Sequence, residues 1–278
     1  MDYQIIVDSC VDFNDQLLGK MDGIVRIPFK IIIDGKELID EDLDTSSLLA
    51  KIKAGMGKIS TACPSPYDFY DAFKRCPVNF AVTISSKLSG SYQSAMLAKK
   101  MLEEEGKTNA VYVIDSKTAS AGQSLIVLKL KTLLEQSSDS EQVVLKINQY
   151  IAGLKTLFLP VSIDNLEKNG RISSLKARIG KVLHVIPILG ANEEGEIVLK
   201  GRAMSEKQAV EKFLGILERS AAAPEDSVLA ITFVDTKEKA EKMREVIQSR
   251  LHFKETYLFQ AGGLSTVYAD SGGLVFAF

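Results

Sequence analysis

The chain has 278 residues, 46% hydrophobic and 25% charged, and Lys+Arg 34 against Asp+Glu 36 gives a formal net charge of −2. That length suits two domains or one large α/β domain, and the composition argues against collagen, disorder and a disulfide scaffold. The balanced charge and the absence of Trp speak against a partner held through nucleic-acid phosphates or stacked bases.

Short apolar runs alternate with amphipathic stretches from the start. Tyr3–Val7 reads as a strand ending at Asp8-Ser9, and the β-branched run Ile24–Ile33 as another ending at the Asp34-Gly35 turn. Asp44-Thr45-Ser46 caps a predicted helix reaching Ala54. Ser65-Pro66 starts a second, with Ser as N-cap, Pro at the first helical position and Asp68 in the first turn. Phe80–Ile84 is a strand, Tyr92–Glu105 a helix, and Val111–Ile114 a strand ending at Asp115-Ser116. Helices over Ala121–Leu134 and Glu141–Leu154 complete the first half. In the second half, Thr156–Val161 is a strand, Lys168–Lys181 an irregular basic stretch and Val182–Leu189 an apolar run. Asn192-Glu193-Glu194-Gly195 is a hairpin turn into Glu196–Leu199. Ser205–Arg219 and Lys237–Arg250 are helical, while Val228–Val234, Thr256–Gln260 and Leu274–Phe278 are strand-like.

The first half therefore predicts βαβ units and a largely parallel sheet flanked by helices; the second predicts an α/β domain with a mixed sheet. The boundary falls near residues 152–156, dividing the chain into 1–154 and 155–278. The polar residues after each strand, Asp8-Ser9, Ser85-Ser86 and Asp115-Ser116, gather on the edge where open α/β sheets bind ligands. The N-terminus carries no basic segment leading into an apolar stretch, so no signal peptide is visible. No apolar run approaches the ~20 residues of a membrane span. Cys10, Cys63 and Cys76 fit no metal or disulfide spacing and read as reduced thiols of a cytoplasmic protein.

The strongest local candidate for chemistry is Ser85-Ser86-Lys87-Leu88-Ser89-Gly90-Ser91, between a strand and a helix. Unpaired N–H groups and the helix dipole favour an anion there, and the Ser89 and Ser91 hydroxyls add donors. A plain capping role for Ser91, with Gly90 as a turn residue, stands beside that reading at even weight. Ser60 to Ser65 offers more hydroxyls before another helix, and Thr61 could reach the same anion if the two segments converge; an ordinary capped loop is the simpler reading. Asn169-Gly170-Arg171-Ile172 presents a guanidinium suited to a carboxylate or phosphate, against a solvated arginine beside Lys168, Lys176, Arg178 and Lys181. His184 lies in an apolar run and His252 follows a helix end. No triad, nucleophile elbow, Walker A or dinucleotide motif and no metal cluster emerges. Asp8 and Asp12 read as cap and turn residues before Mg²⁺ ligands, and the pairs Gly262-Gly263 and Gly272-Gly273 as tight turns or places of close ligand approach near a closing strand.

In order along the chain, Asp8-Ser9, Asp12-Phe13, Pro28-Phe29, Asp40, Thr61 to Ser65, SSKLSGSYQSA over Ser85–Ala95, Asp115-Ser116, Asn169-Gly170-Arg171-Ile172, and Lys200 and Arg202 near Ala203 resemble the DegV family of bacterial fatty-acid-binding proteins. Ser85–Ala95 is the most specific of these; Ala62 and Asn169 replace a Ser and a Gly of the family motifs. The resemblance implies a two-domain protein holding one long-chain fatty acid in a tunnel between its domains. It implies that Thr61, Ser89 and the Gly90 N–H hold the carboxylate, with neither cofactor nor metal. It further implies an ATP-dependent fatty acid kinase as partner, faced by Arg171, to which this non-catalytic carrier presents the acid for acyl-phosphate formation and phospholipid metabolism. The carrier alone is expected to be a monomer. Where many members carry a histidine near the carboxylate, this chain has Tyr268: either its hydroxyl stands in as a donor, or the head-group contact and with it the kinase coupling is lost while lipid binding stays. The alternative is an enzyme of phosphosugar type using the same serine-rich loop.

Overall fold

The computed structural model describes residues 2–13, 23–41, 43–54, 58–173 and 185–278. Strands β1 (Tyr3–Asp8), β2 (Ile24–Ile27), β6 (Val78–Thr83) and β7 (Ala110–Asp115) form a fully parallel sheet in the order β2-β1-β6-β7. Both faces of it are buried, which is why its strands are continuous apolar runs. On one face Ile5, Val7, Phe80 and Val82 pack against helices α4 (Ala121–Gln136) and α5 (Ser140–Gly153). On the other, Ile6 and Ala81 meet α2 (Pro66–Phe73) and α3 (Ser91–Glu104).

The predicted strand Ile24–Ile33 is in fact two strands of different sheets. Pro28 has no N–H to continue the ladder, and the chain turns there into β3 (Lys30–Ile33). β3 lies between β4 (Lys36–Ile39) and β5 (Ile59–Ala62) in a small antiparallel sheet covered by α1 (Thr45–Lys53). Asp44 caps α1 as expected.

The remaining strands, β8 (Thr156–Leu159), β9 (Ile186–Ala191), β10 (Ile197–Ala203), β11 (Val228–Phe233), β12 (Glu255–Gln260) and β13 (Leu274–Ala277), build the mixed sheet β10-β9-β8-β13-β11-β12. Only β11 and β12 pair in parallel. α7 (Glu206–Ser220) and α8 (Lys237–Arg250) pack on it around Phe213, Phe276 and Ile231. The chain is thus α/β with a parallel and a mixed sheet in two domains. Between them runs α4, whose residues 121–127 are all buried. It is apolar nearly all round because Ile126 and Leu130 face the parallel sheet while Ala121 and Leu125 face Phe259, Val275 and Ala277 of the mixed one.

Two short helices escape the sequence reading: α6 (Asp164–Lys168) and α9 (Gly263–Ala269). The pair Gly262-Gly263 is not a turn beside a closing strand but the start of α9. β10 also runs further than the expected Glu196–Leu199. Lys176, Arg178, Lys181 and His184 lie outside the described residues, and His252 is exposed beyond the end of α8.

Candidate functional site

The polar strand ends do share one edge, and their first use is to hold the backbone. Asp8, fully buried, accepts hydrogen bonds from Ile84 N (2.8 Å), Ser91 Oγ (2.6 Å) and Gln123 Nε2 (2.9 Å). Burial raises its pKa, and these donors oppose the rise. Asp115 accepts from Ser86 N (3.0 Å) and Lys117 N (3.1 Å). The loop between β6 and α3 is thereby pinned at both sides.

Ser91 is not the cap of α3. Its side chain points down to Asp8, and the N-cap is Gly90. Ser89 Oγ accepts from Ser91 N (3.2 Å), leaving the hydroxyl hydrogen free to point elsewhere. Among the described residues the Gly90 N–H has no protein acceptor. A Cβ at position 90 would lie 3.2 Å from Cys63 Sγ, so glycine lets this loop approach the segment after β5. Thr61 therefore sits on a strand rather than in a capping loop; Ser65 alone caps α2, in a capping box with Asp68.

Tyr268 arrives from α9, and its hydroxyl lies 2.8 Å from Thr61 Oγ1. The start of α9 is fixed by two buried carboxylates: Gly263 N (2.9 Å) and Leu264 N (3.1 Å) donate to Asp40, and Gly262 N (2.7 Å) to Asp12. Asp12 Oδ2 also accepts from Ser120 Oγ (2.6 Å) and Ser265 Oγ (2.8 Å). Burial pushes the Asp12 carboxyl up to about 6 against the pull of these donors. The cap-and-turn reading of Asp8 and Asp12 is right in kind: Cys10 N donates to Asp8 at 3.3 Å in a local turn, while the other partners of both carboxylates are distant in sequence.

The Asn169-Gly170-Arg171 turn staples these pieces together. Asn165 Nδ2 donates to Val267 O in α9 (2.7 Å), Asn169 Nδ2 to Ile59 O in β5 (3.2 Å), and Arg171 Nε to Leu88 O in the serine loop (3.2 Å). Gly170 has φ +78, a conformation that favours glycine. Asn169, where the family motif has glycine, supplies a side-chain bond that glycine cannot.

Thr61, Ser89, Gly90, Arg171 and Tyr268 all line one cavity of about 350 Å³. Phe29, Ile84, Leu88, Phe158, Leu189 and Leu264 supply its apolar walls. Phe158 and Leu189 belong to the mixed sheet, Phe29, Ile84 and Leu88 to loops beside the parallel one and Leu264 to α9, and no local pattern in the sequence marks them. Lys200 and Arg202 lie on β10, outside this lining. Cys10 and Cys63 line it too; burial, then the neighbouring Asp8 and Asp12, raises the Cys10 pKa well above the usual thiol value. Among the described residues, no group of three or more His, Cys, Asp or Glu could hold a metal, and no helix is long and apolar enough to cross a membrane. An apolar cavity with neutral donors gathered at one place suits an amphiphile with an anionic head.

The family model for the uncharacterised DegV proteins matches residues 2–278. The chain belongs to the DegV family. A DegV domain-containing protein of Streptococcus pneumoniae is 30% identical over 100% of this chain and 99% of its own length. A crystal structure of a DegV family protein from Ruminococcus gnavus, refined with vaccenic acid, superposes with a TM-score of 0.94 at 32% identity, covering 99% of each chain. The Streptococcus pneumoniae Fatty Acid Kinase (Fak) B3 protein, loaded with linoleic acid, gives 0.90 at 29% identity over 100% of this chain and 99% of that one.

Proposed function

We propose that this protein carries one long-chain fatty acid in the cavity between segments 1–154 and 155–278, and presents its carboxylate to an ATP-dependent fatty acid kinase. The observation that carries this reading is the lining of the cavity: largely apolar walls, with the Gly90 N–H and the Thr61, Ser89 and Tyr268 hydroxyls among the donors that line it. A buried carboxylate needs such donors, because its charge is otherwise too costly. Tyr268 can pass its hydrogen to Thr61 Oγ1 or accept the Thr61 hydrogen, so one of the pair has a hydrogen left for the ligand. The predominance of apolar side chains in the lining favours an acyl chain over a phosphosugar, which has no apolar chain to bury there. Solved relatives carrying vaccenic and linoleic acids support the same ligand class.

Presentation to a kinase requires a reachable head group. Gly90 is exposed, so an acid held by its N–H lies near the surface. The protein itself supplies no catalytic group in this reading; the kinase makes the acyl phosphate. Arg171 is half-buried at the same rim and is assigned to the kinase face.

Native mass spectrometry of protein purified from bacteria is expected to detect one bound long-chain acid. A protein that emerges empty and fails to take up oleate or palmitate would end this reading. Ser89→Ala removes one hydrogen bond to a charged group and is expected to weaken binding by about 1.5–3 kcal/mol, on the order of tenfold to a hundredfold. Arg171→Ala, compared with wild type at equal lipid occupancy because Arg171 also holds Leu88 O, should lower acyl-phosphate formation in the presence of the kinase and ATP. If the phosphorylation rate is unaltered, the partner face lies elsewhere.

A further inference from the structure

The structure contains a second polar feature in the cavity wall that the carboxylate site does not use. Ser120 and Ser265 both line the cavity, one at the start of α4 and the other in α9. Both hydroxyls donate to the same Asp12 oxygen, at 2.6 and 2.8 Å, and Asp12 is 1% exposed. An ionised carboxylate only accepts, so both hydroxyl hydrogens are committed to it. Each serine oxygen keeps its lone pairs, and among the described residues no protein donor is directed at either. Ser120 is held there in a left-handed backbone conformation, φ 56, which non-glycine residues rarely adopt. Another hydroxyl pair on the wall is different: Thr118 Oγ1 and Thr156 Oγ1 lie 2.7 Å apart, and Thr118 Oγ1 also reaches Ala119 O at 3.4 Å, so Thr156 can donate to Thr118 and Thr118 to the backbone.

We propose that Ser120 and Ser265 form an acceptor site for a hydroxyl carried on the acyl chain, so that the preferred ligand is a long-chain hydroxy acid. This rests on the fatty-acid reading above and names its substrate class. A plain alkyl chain gains nothing from two acceptor oxygens, and alanine would pack against it as well. A chain hydroxyl, which is costly to bury alone, finds here two oxygens whose own hydrogens are already given to Asp12. Ser265 precedes Tyr268 by three residues on α9, about 4.5 Å along the helix axis. Neither serine belongs to the donor set assigned to the carboxylate, so the pair is open to a group on the chain.

Displacement of a bound fluorescent fatty acid from the full-length protein tests this. Stearic acid is compared with its 3-hydroxy, 10-hydroxy and 12-hydroxy derivatives. At least one hydroxy acid is expected to compete about five- to tenfold better than stearic acid. Ser265→Ala, and Ser120→Gly, which suits the left-handed backbone, should bring that ratio close to one. The ratio is the readout because a general loosening of the cavity would weaken both ligands alike. If every hydroxy acid competes no better than stearic acid, or the preference survives both substitutions, the inference is overturned while the carrier reading stands. If stearic acid itself does not bind, the carrier reading falls and takes this inference with it.

Discussion

Ala119→Trp is expected to yield a folded protein that purifies without fatty acid. Ala119 lies between β7 and α4, is partly exposed, and touches the cluster of Cys10, Phe29, Ile84 and Leu264 on the cavity wall. An indole there enters a space of about 350 Å³ that the acyl chain would otherwise fill. Each methylene kept from the wall forfeits about 0.8 kcal/mol, so displacing roughly ten of them loses about 8 kcal/mol. That is on the order of a 10⁵- to 10⁶-fold loss of affinity, enough to turn tight binding into none detectable. The fold should tolerate the change, since the indole buries against apolar side chains that lack a partner when the cavity is empty. The chain has no Trp of its own, so the new residue is also a clean reporter. Its emission should be blue-shifted and unresponsive to added oleate. Native mass spectrometry showing wild-type lipid content in a folded variant would place the acyl chain elsewhere.

How much of this could be read from the sequence depends on how far apart the partners lie along the chain. The capping box at Ser65 and Asp68, and the capped helix after Asp44, are patterns within four residues and appear as expected. The parallel sheet follows from alternation over a few tens of residues. The split of Ile24–Ile33 was marked by Pro28, but the β-branched residues on either side of it read as one run. α9 is harder. Its sequence begins with two glycines, poor helix formers, and its first N–H groups are satisfied by Asp40, 223 and 224 residues away. The same distance hides the cavity wall, which draws Phe29, Leu189 and Leu264 from three separate regions. Ser89, Gly90 and Thr61 were visible as donors, but nothing local could show that β5 and the serine loop converge, nor that Tyr268 Oη would lie 2.8 Å from Thr61 Oγ1.

Asp40→Ala is expected to destabilise the protein by about 3 kcal/mol or more, through the donors it leaves without an acceptor. Asp40 is 2% exposed and joins three segments: Ser9 Oγ donates to it at 2.7 Å, and Gly263 N and Leu264 N at 2.9 and 3.1 Å. Ser9 Oγ in turn accepts from Phe29 N at 2.9 Å, so the loop after β1, the turn into β3 and the start of α9 share one network. The carboxylate also stands at the positive end of α9, where the dipole favours it. With only alanine there, two helix N–H groups and a serine hydroxyl are buried without an acceptor. A loss of this size corresponds to a fall in Tm of roughly 6–12 °C for a domain of 150–250 residues. Asp40→Asn keeps one acceptor oxygen and should lose less. The consequence for the site follows from α9: once its start is free, Tyr268 is no longer held against Thr61 and the carboxylate donors lose their spacing. Asp40→Ala should therefore also gain less thermal stability than wild type from added oleate, because ligand stabilisation scales with affinity for the folded state. A variant that melts at the wild-type temperature and retains its lipid would show that α9 is held by its apolar contacts with Ile31, Leu48 and Ile59 alone.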